Sequence, residues 1–137
     1  MRYGNLYPFL QLPLSSPDKN SCVYFVSGIA RAKAPLDYLQ STFSEVYTRE
    51  YPDHHPYRVD DLEEIKTAFN NIKNPSKYIV TTEKDAARLD MHRDWLYANP
   101  MPWLILPVYV QMDKEDYTAL RKDIFQYLSV TLQEELS

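Results

Sequence analysis

The chain has 137 residues, of which 45% are hydrophobic and 25% are charged, and its formal net charge is −4. This length and composition suit one globular domain and exclude a disordered tail, while the acidic balance argues against nucleic acid as a partner, because binding to phosphate backbones needs clustered Lys and Arg. Since Gly4 and Gly28 are the only glycines, the sequence contains neither a glycine-rich phosphate loop nor a dinucleotide-binding fingerprint.

Residues 1–20 are predicted to be a lead-in segment from a preceding domain. Pro8, Pro13 and Pro17 interrupt any helix in this stretch. The leucine and aromatic content is high for a free tail, so we expect the segment to pack against another part of the protein. The regular pattern begins at residue 21, and residues 21–137 are predicted to form an α/β domain.

Strands and helices alternate after residue 21. Strands are predicted at 22–27, 45–51 and 77–81, and the helices that follow them at about 35–43, 60–72 and 82–89. Residues 90–102 are predicted to be irregular, followed by a fourth strand at 103–111, kinked at Pro107, and a last helix that begins at Asp113. This order indicates a small Rossmann-like α/β fold with a parallel sheet of about four strands and flanking helices.

Two further features bear on where the protein works. The single cysteine, Cys22, has no partner for an intrachain disulfide, which fits a reducing compartment. The longest apolar run, 103–110, covers eight residues, whereas a membrane-spanning helix needs about 20. The sequence therefore predicts a chain that does not itself cross a membrane.

Three polar segments follow the first three predicted strands. They are SGIAR at 27–31, DHH at 53–55 and TTEKD at 81–85. Because the loops after parallel strands meet at the carboxyl edge of the sheet, where ligands bind, we expect all three to lie on one rim. Gly28, His54 and Lys84 should then be neighbours, with Arg31 and His55 beside them.

The 53–55 loop is the strongest candidate for chemistry. Pro52 and Pro56 bracket it and stiffen its backbone. Asp53 next to His54 can orient the imidazole, which suits proton transfer near neutral pH. No metal site is predicted, because adjacent histidines on a short loop rarely bind one ion together and no further Cys/His cluster exists.

The other two segments also have structural interpretations. Gly28 can serve a tight turn, Arg31 can be a solvated side chain, and Thr82 can cap a helix with Asp85 three residues on. A helix N-terminus after a strand also favours an anion, to which Lys84 adds a positive charge. Both interpretations stay open at this point.

Taken together, the three segments resemble the tetraacyldisaccharide 4'-kinase family of lipid A biosynthesis. SGIAR, then YPDHHPY, then TTEKDAARL match the order and spacing of the family's segments over roughly residues 21–110. The resemblance implies transfer of the ATP γ-phosphate to the 4'-hydroxyl of a tetraacyldisaccharide 1-phosphate. It also implies that residues 21–137 are the C-terminal domain, with ATP and Mg²⁺ bound mainly by an N-terminal P-loop domain missing from this chain.

The resemblance further implies roles for individual residues. His54, with Asp53 beside it, matches the histidine that pairs with an acidic base of the other domain. The segment that matches one facing the nucleotide cleft consists of Thr82, Glu83, Lys84 and Asp85. Catalysis is thus expected at His54 and nucleotide contact at 82–85.

The implied partners are the N-terminal P-loop domain and the lipid disaccharide, with membrane contact only through the missing domain. The enzyme is then expected at the cytoplasmic side of the bacterial inner membrane, and the isolated domain is expected to be soluble and inactive. Two alternatives remain: a non-catalytic α/β interaction module that uses the same rim, and a metal-dependent hydrolase built on His54 and His55.

Overall fold

The structure, a computed structural model, describes residues 2–109. Residues 3–108 form one compact unit, and Arg2 and Tyr109 fall in a second. The predicted helix from Asp113 and the end of the predicted fourth strand lie outside the described residues. Over the described range, none of the helices has the length and apolar character that a membrane span requires.

The elements follow the predicted alternation of strands and helices. In chain order they are β1 (Arg2–Tyr3), β2 (Tyr7–Pro8), β3 (Cys22–Ser27), α1 (Lys33–Thr42), β4 (Glu45–Glu50), α2 (Val59–Asn70), β5 (Lys77–Thr82), α3 (Glu83–Leu89), a 3₁₀ turn (Asp90–His92), α4 (Arg93–Ala98), β6 (Trp103–Leu106) and β7 (Val108–Tyr109). The α/β class is confirmed.

A five-stranded sheet in the order β2-β6-β5-β3-β4 lies at the centre, and β1 and β7 form a separate two-stranded sheet. The four strands from β3 to β6 are parallel, as predicted. The fifth strand comes from the predicted lead-in segment, where Tyr7 and Pro8 pair antiparallel with β6. Pro8 is tolerated because β2 is an edge strand, where a missing N–H costs no central ladder bond.

The prediction of an irregular segment at 90–102 is wrong, since the 3₁₀ turn and α4 occupy most of it. Pro100 and Pro102 lie after α4 and do not interrupt it. In a helix of six residues only Leu96 is buried, so no apolar repeat marks it in the sequence. Pro107 does more than kink the fourth strand: it separates β6 from β7, which belongs to the other sheet.

Each face of the large sheet carries its own apolar core. Tyr24 and Val26 of β3 pack in the cluster that includes Ile65 of α2, whereas Val23 and Phe25 pack in the cluster that includes Leu39 of α1. Because successive side chains of a strand point to opposite faces, β3 is buried along its whole length. This packing fixes the carboxyl ends of the strands, and with them the loops that carry the candidate site.

Candidate functional site

Three loops meet at the carboxyl edge of the parallel strands. In the register, Ser27 pairs with Glu50 and Val26 pairs with Thr81, so the ends of β4, β3 and β5 lie side by side, as predicted. The His54 N–H donates to the Gly28 carbonyl at 3.1 Å. The structure therefore brings the second loop directly against the first.

His54 lies in a strained turn at this rim. The His55 N–H donates to the Pro52 carbonyl at 3.1 Å, which closes a turn with His54 at its third position. His54 has a φ of 62°, and no other non-glycine residue among those described has a positive φ. This left-handed conformation costs about 1–2 kcal/mol for a residue with a Cβ. The side chain is 82% exposed, and its Nε2 lies 3.4 Å from Asp53 Oδ2.

His55 has different surroundings. Its Nε2 lies 2.9 Å from Asp61 Oδ2, and since an ionised carboxylate only accepts, the imidazole is the donor. Its ring stacks on Tyr51 with centroids 4.3 Å apart. Asp61 also accepts the Arg58 N–H at the start of α2. Burial raises the pKa of Asp61, but the Arg58 N–H and His55 outweigh it, so the pKa is lowered. His55 thus ties the loop to α2.

Asp85 is fully buried beneath the rim. The donors to Oδ1 are the Gly28 N–H at 3.0 Å, the Tyr57 hydroxyl at 2.9 Å and the Arg88 guanidinium at 3.3 Å, and the donor to Oδ2 is the Thr82 hydroxyl at 2.6 Å. Burial and the Asp85 carboxylate both raise the pKa of Tyr57, which keeps its hydroxyl protonated as a donor. The resemblance implies that Asp85 faces a nucleotide. In the structure its carboxylate instead points into the domain.

A glycine is required at position 28 because neighbouring atoms leave too little space for a Cβ. A Cβ on Gly28 would lie 3.2 Å from the Pro52 carbonyl oxygen and 3.3 Å from both Asp85 Oδ1 and His55 Cβ, although its φ is not positive. The Arg88 guanidinium also donates to the Gly28 carbonyl at 2.7 Å. The Gly28 peptide is therefore held at both its N–H and its carbonyl.

Of the remaining predicted residues, Thr82 is buried and Glu83, Lys84 and Arg31 are exposed. Thr82 caps α3, as predicted, because its Oγ1 accepts the Asp85 N–H at 3.1 Å. Glu83 is exposed and accepts the Val108 N–H at 3.2 Å. Lys84 and Arg31 are exposed, and neither side chain makes a hydrogen bond or ion pair with another of residues 2–109.

The two histidines do not converge on one point. His54 lies beside Asp53, whereas His55 faces Asp61. In the part of the chain that the structure describes, no group of three or more His, Cys, Asp or Glu residues is placed to hold a metal ion. The donor set that a hydrolase would need at His54 and His55 is therefore not assembled by the described residues.

Three residues that contribute to this site were not predicted from the sequence. Tyr57 and Arg88 both bind the Asp85 carboxylate, and Asp61 holds His55. The i, i+3 spacing of Asp85 and Arg88 on a helix was an available signal. Tyr57, by contrast, reaches Asp85 only because the fold brings the two segments together.

Comparison with known proteins points to one family. The family model described as tetraacyldisaccharide-1-P 4'-kinase matches residues 10–126. The tetraacyldisaccharide 4'-kinase of Bacteroides thetaiotaomicron is 31% identical over 140 residues, which cover 93% of this chain and 36% of that protein. The protein of the same name from Parabacteroides distasonis is 43% identical over 100 residues, 68% of this chain and 26% of its own length. No solved structure gave a significant match.

Proposed function

This chain belongs to the tetraacyldisaccharide-1-P 4'-kinase family, and we propose that it is the C-terminal part of a kinase that transfers the γ-phosphate of ATP to the 4'-hydroxyl of a tetraacyldisaccharide 1-phosphate in lipid A biosynthesis. The match covers 36% of the length of the first of these relatives and 26% of the second. The rest of the active site then belongs to a preceding P-loop domain.

The observation that carries the proposal is the exposed imidazole of His54 on a strained turn at the rim. A non-glycine residue persists at a φ of 62° only where its surroundings hold it there, and such residues cluster at active sites. A neutral imidazole accepts a proton near pH 7. His54, oriented by Asp53 and paired with a carboxylate of the P-loop domain, takes the proton from the attacking 4'-hydroxyl.

The described residues fit a supporting part in nucleotide binding. Lys84 and Arg31 supply positive charge toward the phosphates, and Glu83 is the chain neighbour of Lys84. Thr82 and Asp85 act from beneath by holding the start of α3. In P-loop enzymes the phosphate loop and a nearby Asp hold Mg²⁺, so Mg²⁺ and most ATP contacts belong to the P-loop domain. When bound, Mg²⁺ neutralises charge on the transferring phosphoryl group.

The partners of the chain are then the P-loop domain of the same protein and the lipid disaccharide. The full-length enzyme works at the cytoplasmic face of the bacterial inner membrane and touches the membrane through the P-loop domain. The free, buried thiol of Cys22 supports a reducing compartment.

Phosphate transfer by the full-length protein tests this proposal. The protein encoded with its upstream sequence is incubated with radiolabelled ATP, Mg²⁺ and tetraacyldisaccharide 1-phosphate, and the label is followed into the lipid. We expect labelled product from the full-length protein and none from the 137-residue chain at the same concentration. Absence of product from a folded full-length protein, or equal product from the chain alone, would contradict the proposal.

A further inference from the structure

We propose that Asp85 is a positioning residue for His54, and that its buried carboxylate sets the position of the turn that presents the imidazole by holding the Gly28 peptide and Tyr57. This assignment rests on the proposed function, because it takes His54 as the group that moves the proton. Neither Asp85 nor Tyr57 needs to contact a substrate to fill this part.

The first link runs through the Gly28 peptide. Asp85 Oδ1 accepts the Gly28 N–H at 3.0 Å, and the Gly28 carbonyl accepts the His54 N–H at 3.1 Å. Arg88, itself 3.3 Å from Asp85 Oδ1, donates to the same carbonyl at 2.7 Å. The backbone of His54 is thus one residue removed from the buried carboxylate, and a shift of Gly28 moves His54 with it.

The second link fixes the other end of the turn. Tyr57 follows His54 by three positions and donates its hydroxyl to Asp85 Oδ1 at 2.9 Å. The Tyr57 carbonyl lies 2.6 Å from His92 Nε2, which holds the backbone at that point. Asp85 Oδ1 therefore fixes both Gly28, to which the His54 N–H donates, and Tyr57, where the chain after the turn enters the core.

Burial makes these links hard to replace. Asp85 is fully buried and Tyr57 is 2% exposed, so a lost donor leaves an oxygen that water cannot reach without rearrangement. Once these hydrogen bonds weaken, the strained backbone of His54 also tends to relax away from its positive φ. Loss of one hydrogen bond to Asp85 should therefore displace the His54 imidazole without unfolding the domain.

The chain offers a matched control for the Tyr57 hydroxyl. Tyr78 is also buried, at 6% exposed, and its hydroxyl donates to the Ser15 carbonyl at 2.9 Å. It lies near the start of β5, at the opposite end of the strand from Thr82. Tyr57→Phe and Tyr78→Phe each delete one hydrogen-bonding phenol oxygen from a buried tyrosine, but only the first deletion touches the rim.

The test measures steady-state kinetics and thermal unfolding of the full-length kinase carrying each variant. We expect Tm to fall for both variants, and further for Tyr57→Phe because its partner is a buried carboxylate. We expect kcat to fall about 10- to 100-fold for Tyr57→Phe alone, with KM for ATP within about twofold, since misplacing a reacting group by roughly 1 Å has an effect of that order. Equal kcat values for Tyr57→Phe and Tyr78→Phe would overturn the proposal.

A double-mutant cycle with His54→Ala separates positioning from general support. If Tyr57 acts through His54, then Tyr57→Phe lowers kcat no further once the imidazole is gone. A second loss of the same size in the His54→Ala background would overturn the positioning role and leave the proposed function intact. An unchanged kcat for His54→Ala alone would instead overturn the role of His54 in moving the proton, and the positioning role with it.

If Tyr57→Phe does not fold, Asp85→Asn takes its place in the cycle. The amide keeps the shape of the carboxylate and one acceptor oxygen but removes its charge. We expect Asp85→Asn to lower kcat of the wild-type enzyme but to leave kcat unchanged in the His54→Ala background. A folded Asp85→Asn enzyme with wild-type kcat would overturn the proposal.

Discussion

His54 combines an exposed side chain with a backbone conformation that favours glycine. We therefore expect His54→Gly to be about 1 kcal/mol more stable than His54→Ala, because alanine keeps the left-handed strain and glycine removes it. Urea unfolding of the two variants measures the difference. A less stable His54→Gly would contradict the strain at this position.

Gly28 has no room for a side chain. Its Cβ would meet the Pro52 carbonyl oxygen, a backbone atom, at 3.2 Å, so Gly28→Ala should lower the free energy of unfolding by about 1–3 kcal/mol. Ser27→Ala is the neighbouring control, since the buried Ser27 hydroxyl has no hydrogen-bond partner among the described residues and its removal should cost little. A neutral Gly28→Ala in thermal unfolding would show that the two loops are further apart.

At the scale of elements, the start of α2 depends on an ionised Asp61. Its pKa is lowered in the folded domain, so the folded state holds this proton less tightly than the unfolded chain. The resulting stability is fully present above the unfolded pKa of about 4 and is lost as the pH falls through the folded value.

Asp61→Asn tests this pH dependence. At pH 7 the variant should be less stable than the wild type by roughly 1 kcal/mol, the usual contribution of a helix cap. The difference should shrink below about pH 4, where the wild-type carboxylate also becomes protonated. Unfolding free energies at several pH values check the trend, and a difference that grows toward low pH would contradict it.

The sequence predicted those elements whose apolar pattern is long enough to repeat. The three strand–helix pairs after residue 21 follow from such patterns, whereas α4 has one buried residue, Leu96, and leaves no periodicity. The edge strand β2 was missed for another reason. Its two residues pair with β6 through their backbones, and a proline within them argues against a strand in any sequence-based prediction.

The candidate site was predictable in outline and not in detail. The rim followed from topology, since loops after parallel strands meet at one edge. The inward direction of Asp85 did not follow, because a residue three positions after a cap fits a role in capping or in ligand binding equally well. Its buried partners, Gly28 and Tyr57, are 57 and 28 residues away in sequence. Local patterns carry no information on such contacts.

At the scale of the whole molecule, we propose that the chain supplies one side of a cleft. Without a glycine-rich phosphate loop, the isolated chain should bind Mg-ATP poorly, because phosphoryl transfer depends on that loop together with the metal and its carboxylates. Calorimetric titration of Mg-ATP into the isolated chain checks this expectation. Micromolar affinity would mean that the rim itself is a nucleotide site.

The two adjacent histidines give the most direct test of the claim that this chain contributes a catalytic group. In the full-length kinase, His54→Ala should lower kcat by about 10²- to 10⁴-fold, the usual contribution of general acid–base assistance. His55→Ala should lower kcat less and stability more, since His55 ties the loop to Asp61 of α2. The measurement is kcat for both variants with lipid and ATP saturating. A larger loss for His55→Ala than for His54→Ala, or a loss of less than a few-fold for both variants, would contradict the account.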